Sequence, residues 1–211
     1  MKTLRRLALP ALGALACVLI PARPAAAQDA LDGLCPVLLH QERIDLEDLE
    51  LEVSAEETRL RVADELFVLV DEMWRNDLFQ RLPYLGVKHR RDAARIALDR
   101  ARQQLERQQA VVAQYSLACS DSSADGPPSD VPQTLEEALE QYLAADCAVR
   151  ALDLQAYEVD LEYYREVAQS SRDLRSSDIA SRQQVLFAEQ DVELTEQLLA
   201  QAQQRVARCR Q

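Results

Sequence analysis

The chain has 211 residues, with 24 Lys and Arg against 36 Asp and Glu, and a formal charge of −12. Only 4 residues are Gly, while 48% are hydrophobic and 5% aromatic. That is too apolar for wholly disordered chain, too poor in aromatic and β-branched residues for a sheet protein, and too poor in Gly for many tight turns. An acidic chain also repels nucleic-acid phosphates. The expectation is a helical, acidic protein of one domain or two.

Residues 1–27 have the form of a secretory signal. Lys2, Arg5 and Arg6 precede an apolar run from Leu7 to Ile20, too short to span a bilayer comfortably. Ala25-Ala26-Ala27 then offers a small-residue cleavage site before Gln28. A lipid anchor at Cys17 is the minor alternative: Ala14 stands where lipoprotein signals carry Leu, and Val18-Leu19-Ile20 would stay in the mature chain. Cleavage removes Lys2, Arg5, Arg6, Arg23 and no acid, leaving 20 basic and 36 acidic groups, net −16. No later stretch is long and apolar enough to cross a membrane. The mature chain is therefore expected in the periplasm or otherwise exported. Its four cysteines, Cys35, Cys119, Cys147 and Cys209, favour two disulfides there over a zinc site.

The first hairpin is expected over 28–119. Leu39, Leu46, Val53, Leu60, Phe67 and Trp74 recur every seven residues and predict a helix over about 37–81. Leu82-Pro83 should end it, and Gly86 should complete the turn. A second, antiparallel helix carries Leu98, Leu105, Val112 and Cys119. Residues 120–133 are a polar linker rich in Ser, Asp and Pro.

The second hairpin is expected over 134–211. Thr134 and Glu137 have capping-box spacing at the start of a third helix. That helix carries Tyr142, Val149, Ala156 and Tyr163 on one stripe and Cys147, Leu154, Leu161 and Ala168 on another, so it should meet two partners, inside a bundle or in another subunit. A turn near Ser177 leads to a second capping box, Ser181 to Gln184, and to a fourth helix with Val185, Val192, Leu199 and Val206. An offset of about 92 residues overlays the two hairpins, Leu82 on Leu174. Measured from the expected tips, Cys147 and Cys209 lie at equal heights, which favours their bridge and leaves Cys35–Cys119. That second pair is mismatched by about 27 Å of helix, which a fold-back near the amino end must absorb. Cys35–Cys209 with Cys119–Cys147, and Cys35–Cys147 with Cys119–Cys209, remain open.

Charge is uneven. Residues 42–57 hold eight acids and one Arg, whereas residues 75–107 hold nine basic groups and four acids. The basic stretch reads either as a docking surface for an acidic partner or anionic lipid heads or, more simply, as helix two lying on an acidic helix three or as a solvated face. His40 and His89 lack an evident acid–base partner, no phosphate loop or GxSxG occurs, and the tyrosines fit packing positions. The expectation is a non-catalytic protein with no cofactor and no metal.

Residues Tyr163 to Val185 resemble the hairpin tips of periplasmic membrane-fusion adaptors from tripartite efflux and secretion pumps. Leu174 and Ser181 keep the Leu–Ser spacing of those tips, with Ser170 where they carry Arg. Thr134-Leu-Glu-Glu-Ala-Leu139 resembles helix starts in TolC-type outer-membrane efflux proteins, which also repeat two helical hairpins. The flanking lipoyl, barrel and strand segments of those proteins are not visible. The resemblance implies a stand-alone, all-α pair of hairpins serving an envelope efflux or secretion assembly, with protein partners or self-association. The candidate contacts are Arg81, Leu82, Leu85, Arg90 and Arg91 at the first tip and Leu174, Ile179 and Ser181 at the second, with the second stripe of helix three. A periplasmic scaffold or holdase chaperone is the alternative.

Overall fold

A computed structural model describes residues 25–119 and 134–209, with side chains from Cys35 onward. The expected leader, apart from the Ala25–Ala27 site, and the expected linker lie outside those residues. Four helices and no strand occur among the described residues: α1 (Ala25–Arg75), α2 (Arg81–Cys119), α3 (Leu135–Ser176) and α4 (Arg182–Cys209). The fold is all-α. α1 runs back through Pro36 to Ala25 instead of starting at residue 37. The Cys35–Cys119 bridge ties the turn at Pro36 to α2.

Each helix packs only on its neighbours in sequence: α1 on α2, α2 on α3, α3 on α4. The four helices therefore form an open antiparallel row. α1 and α4 are its edges and do not meet. The two stripes of α3 are both used within the chain. Ala138, Ala145 and Val149 are buried on one, and Leu161 and Ala168 on the other. The second stripe is covered by α4, so it is not the partner surface expected of it.

The first turn is not at Leu82–Gly86. α1 stops at Arg75, and α2 already begins at Arg81. Pro83 sits in the first turn of α2, where its missing N–H would have had no helical acceptor, so it starts a helix instead of ending one. The chain reverses at Asp77, which takes a left-handed φ of 57°. The Asp77 N–H donates to the Trp74 carbonyl at 3.0 Å and the Leu78 N–H to the Met73 carbonyl at 2.9 Å. This pair of bonds is a Schellman stop with Asp in the place usually held by Gly.

The second turn repeats it. Asp178 has the same φ of 57°, its N–H donates to the Arg175 carbonyl at 3.0 Å, and the Ile179 N–H donates to the Leu174 carbonyl at 2.9 Å. The hairpins thus superpose at an offset of 101 residues, Asp77 on Asp178, and not at 92. Both capping boxes form as expected. The Glu137 N–H donates to Thr134 Oγ1 at 3.2 Å, and the Gln184 N–H donates to Ser181 Oγ at 3.2 Å.

Moving the first tip removes the cysteine mismatch. Cys35 and Cys119 are bridged with Cα atoms 5.7 Å apart, and Cys147–Cys209 has the same spacing. No fold-back is needed, because α1 and α2 run side by side from the tip to the bridge. By chain-entropy arithmetic, bridges across 84 and 62 residues each stabilise by about 4 kcal/mol. Reduction should therefore lower the thermal midpoint by tens of degrees, as read by circular dichroism at 222 nm.

Gly86 lies inside α2 and has no positive φ. A Cβ there would meet only the Tyr163 hydroxyl, at an ordinary 4.0 Å. Gly86→Ala should then raise stability by about 0.5–1 kcal/mol in urea unfolding, whereas a Gly needed for a tip would make the same change destabilising.

Candidate interaction surface

The seam between the hairpins carries much of the expected charge asymmetry. α2 supplies cations and α3 anions: Lys88–Glu162 at 3.0 Å, Arg100–Asp153 at 3.2 Å and Arg107–Asp146 at 3.1 Å, with a His89–Asp160 hydrogen bond at 2.7 Å among them. The simpler reading of the basic stretch holds for these residues. Arg102 turns the other way, to Glu57 of α1 at 3.0 Å. Between the ion pairs the packing is by small side chains, with Ala110, Ala113, Ala138 and Ala145 buried.

His89 is not alone. Its Nε2 reaches Asp160, and its ring stacks on Tyr163 at 4.3 Å, with Tyr164 tilted behind at 5.3 Å. Sequence reasoning missed this cluster because Asp160 is 71 residues away and only the hairpin-to-hairpin register brings it near. Beside it lies a cavity of about 20 Å3 lined by Leu85, Lys88, His89, Asp92, Val159 and Tyr163 among others. That is room for about one water molecule.

Trp74 packs inside the first hairpin, stacked on Tyr84 at 5.0 Å. The Arg91 guanidinium lies 4.0 Å over the Phe67 ring and bonds Asp92 through Nε at 2.9 Å. Arg91 is therefore a packing residue as much as a surface one. Leu85 is buried and Leu82 half-buried, so neither offers an open surface. Arg81 and Arg90 are exposed, and among the described residues neither forms an ion pair.

At the second tip the structure places Leu174, Ile179 and Ser181 around one turn. Leu174 is half-buried under the turn, and its carbonyl accepts from the Ile179 and Ala180 N–H groups at 2.9 and 3.3 Å. Ser181 caps α4, and Ser170, at the position of the adaptor Arg, is buried with its hydroxyl unpaired. Ile179 is 72% exposed. Its counterpart at the first tip is Leu78, 71% exposed, a residue that sequence reasoning did not select. The signal was Asn76-Asp77, a turn pair directly before an apolar residue.

Both tips lie at the same end of the row. Lys88 pairs with Glu162 and Gln114 bonds the Ala138 carbonyl, so α2 and α3 run antiparallel in one register. In that register α3 continues past the level of Arg81, where α2 starts, by about two turns, roughly 10 Å. The second tip is therefore the more prominent.

Among the described residues no group of His, Cys, Asp and Glu side chains is placed to hold a metal ion, and no helix is long and apolar enough to cross a membrane. Comparison with protein families, characterised proteins and solved structures returns no match.

The hydrogen bond to Glu162 raises the pKa of Lys88 above the usual lysine value, against the opposing effect of burial. Burial raises the phenol pKa of Tyr84, helped by its hydrogen bond to Asp71, and burial likewise raises that of Tyr164. A folded-state pKa above the unfolded one gives stability that is complete below the unfolded value and is lost as pH rises through the folded value. All three groups thus act in the same direction. These three groups should leave stability unchanged up to about pH 9 and lower it from about pH 10 upward. Lys88→Gln should flatten part of that alkaline loss in thermal melts.

Proposed function

We propose that this is an exported, non-catalytic component of an envelope efflux or secretion assembly, docking through its two hairpin tips. The observation that carries the proposal is the pair of matched tips at one end, each a Schellman turn presenting an exposed aliphatic side chain, Leu78 and Ile179. The likeness of residues 163–185 to adaptor tips points to the class of partner. Two disulfides belong to an oxidising compartment, which fits export behind a leader cleaved before Gln28 into the periplasm.

A holdase reading draws on a different observation, the exposed aliphatic cluster Val62, Leu66 and Leu69 on α1. It expects suppression of aggregation of unrelated unfolded proteins, indifferent to the tips.

The test is capture from crosslinked envelopes with Leu78→Asp, Ile179→Asp and the double variant. These side chains are exposed, so helicity should not change. Ser181 and Leu174 are poorer probes, since one caps α4 and the other supports the turn. Wild type should recover a pump or outer-membrane channel component and the double variant should lose it at least tenfold, about 1.4 kcal/mol. Recovery that is equal in wild type and double variant would sink the proposal.

A further inference from the structure

α1 is an edge helix, and only one side of it is used. Leu46, Val53, Leu60 and Val70 lie on the α2 side, half-buried or buried. On the opposite side Leu51, Ala55, Thr58, Val62 and Leu69 follow at helical intervals of four, three, four and seven, continued backward by Ile44 seven residues before Leu51. All six are exposed, Leu51 at 69%, Val62 at 52% and Leu69 at 57%. This is a second coiled-coil seam that no helix of the chain covers.

We propose that its occupant is a second copy of the same helix, packed antiparallel about a two-fold axis beside residues 56 and 57. In that register Leu51 lies against Val62 of the second copy, Ala55 against Thr58, and Ile44 against Leu69. The two-fold makes each contact twice. Charge decides both the orientation and the register. Residues 42–57 are the most acidic stretch of the chain, and the exposed cations that directly follow it on α1 are Arg59 and Arg61, each also paired along the helix, with Glu56 and Glu65. Antiparallel packing lays the first against the second. At the flanking positions Glu52 meets Arg59 of the second copy, again twice, and Ser54 meets Arg61. Sliding by one heptad, so that Leu51 faces Leu69, instead sets Arg59 against Arg59 and Arg61 against Arg61. A parallel pair would stack acid on acid.

The contact is of limited strength. A strip from Ile44 to Leu69 is about 38 Å long and about 10 Å wide, a few hundred Å2 per copy against the roughly 800 Å2 of a standard stable interface. It also brings Asp48 into the seam opposite Glu65 of the second copy, a like-charge pair. The dimer is therefore concentration-dependent. This inference uses the edge that the tip-docking reading leaves free and does not depend on it.

Sedimentation equilibrium of the full mature chain, from about 1 to 200 µM, should show a monomer–dimer equilibrium. Val62→Asp should abolish it, while Phe187→Gln on the exposed face of α4 should leave it unchanged. Arg59→Glu should weaken it about tenfold by replacing two attractions with two repulsions, and adding Glu52→Arg should restore it. Asp48→Asn should tighten it, a gain that misfolding cannot imitate. Helicity at 222 nm confirms that each variant is folded. A monomer at every concentration, a dimer that survives Val62→Asp or is lost with Phe187→Gln, or a charge swap that fails to restore association would each overturn the proposal. Because none of these substitutions touches Leu78 or Ile179, dimer loss and loss of envelope capture are read separately.

Discussion

The register of each hairpin is held at both ends, and the rest of the molecule depends on that double constraint. At one end an Asp in the left-handed region closes the chain within five residues, Asn76–Gln80 in the first hairpin and Ser177–Ser181 in the second. At the other a disulfide joins positions equally far from the turn. Between them the helices cannot slide, so heptad stripes that would tolerate several registers adopt one. The side chains that meet across α2 and α3 are then chosen by arithmetic alone, and they meet as cation on anion.

How far the sequence could be read follows from this. Helix type, the two-hairpin plan, both capping boxes, the Ser177 turn and the cysteine pairing favoured by height were all legible, because each rests on local pattern or on separation along a helix. The first tip was not. Pro83 and Gly86 are strong turn signals, yet Pro is equally at home in a first helical turn, and the rarer left-handed Asp at position 77 performed the reversal. That displacement is what produced an imagined fold-back at Cys35. The His89–Asp160 pair was illegible for a different reason. It depends on the register between hairpins, which no local pattern encodes, and histidine was judged only against its chain neighbours.

The seam between hairpins differs in kind from the seams within them. Each hairpin is covalently closed, whereas α2 and α3 are held by packing, of alanines at one end and of Leu85, His89, Val159 and Tyr163 near the tips, and by ion pairs, several of them half-exposed. Half-exposed pairs contribute little each and are screened by salt. The hairpins are closed by covalent bonds, and the line between them by side-chain packing and polar contacts alone.

An open row is, in energetic terms, a one-dimensional array. Among the described residues α1 makes no contact with α3 and α2 none with α4, so stability approximates a sum of three neighbour terms. All the helix contacts of α1 thus lie within the first hairpin, which the Cys35–Cys119 bridge closes. Packing order and chain order thus coincide, and each hairpin is the surface against which the next is laid.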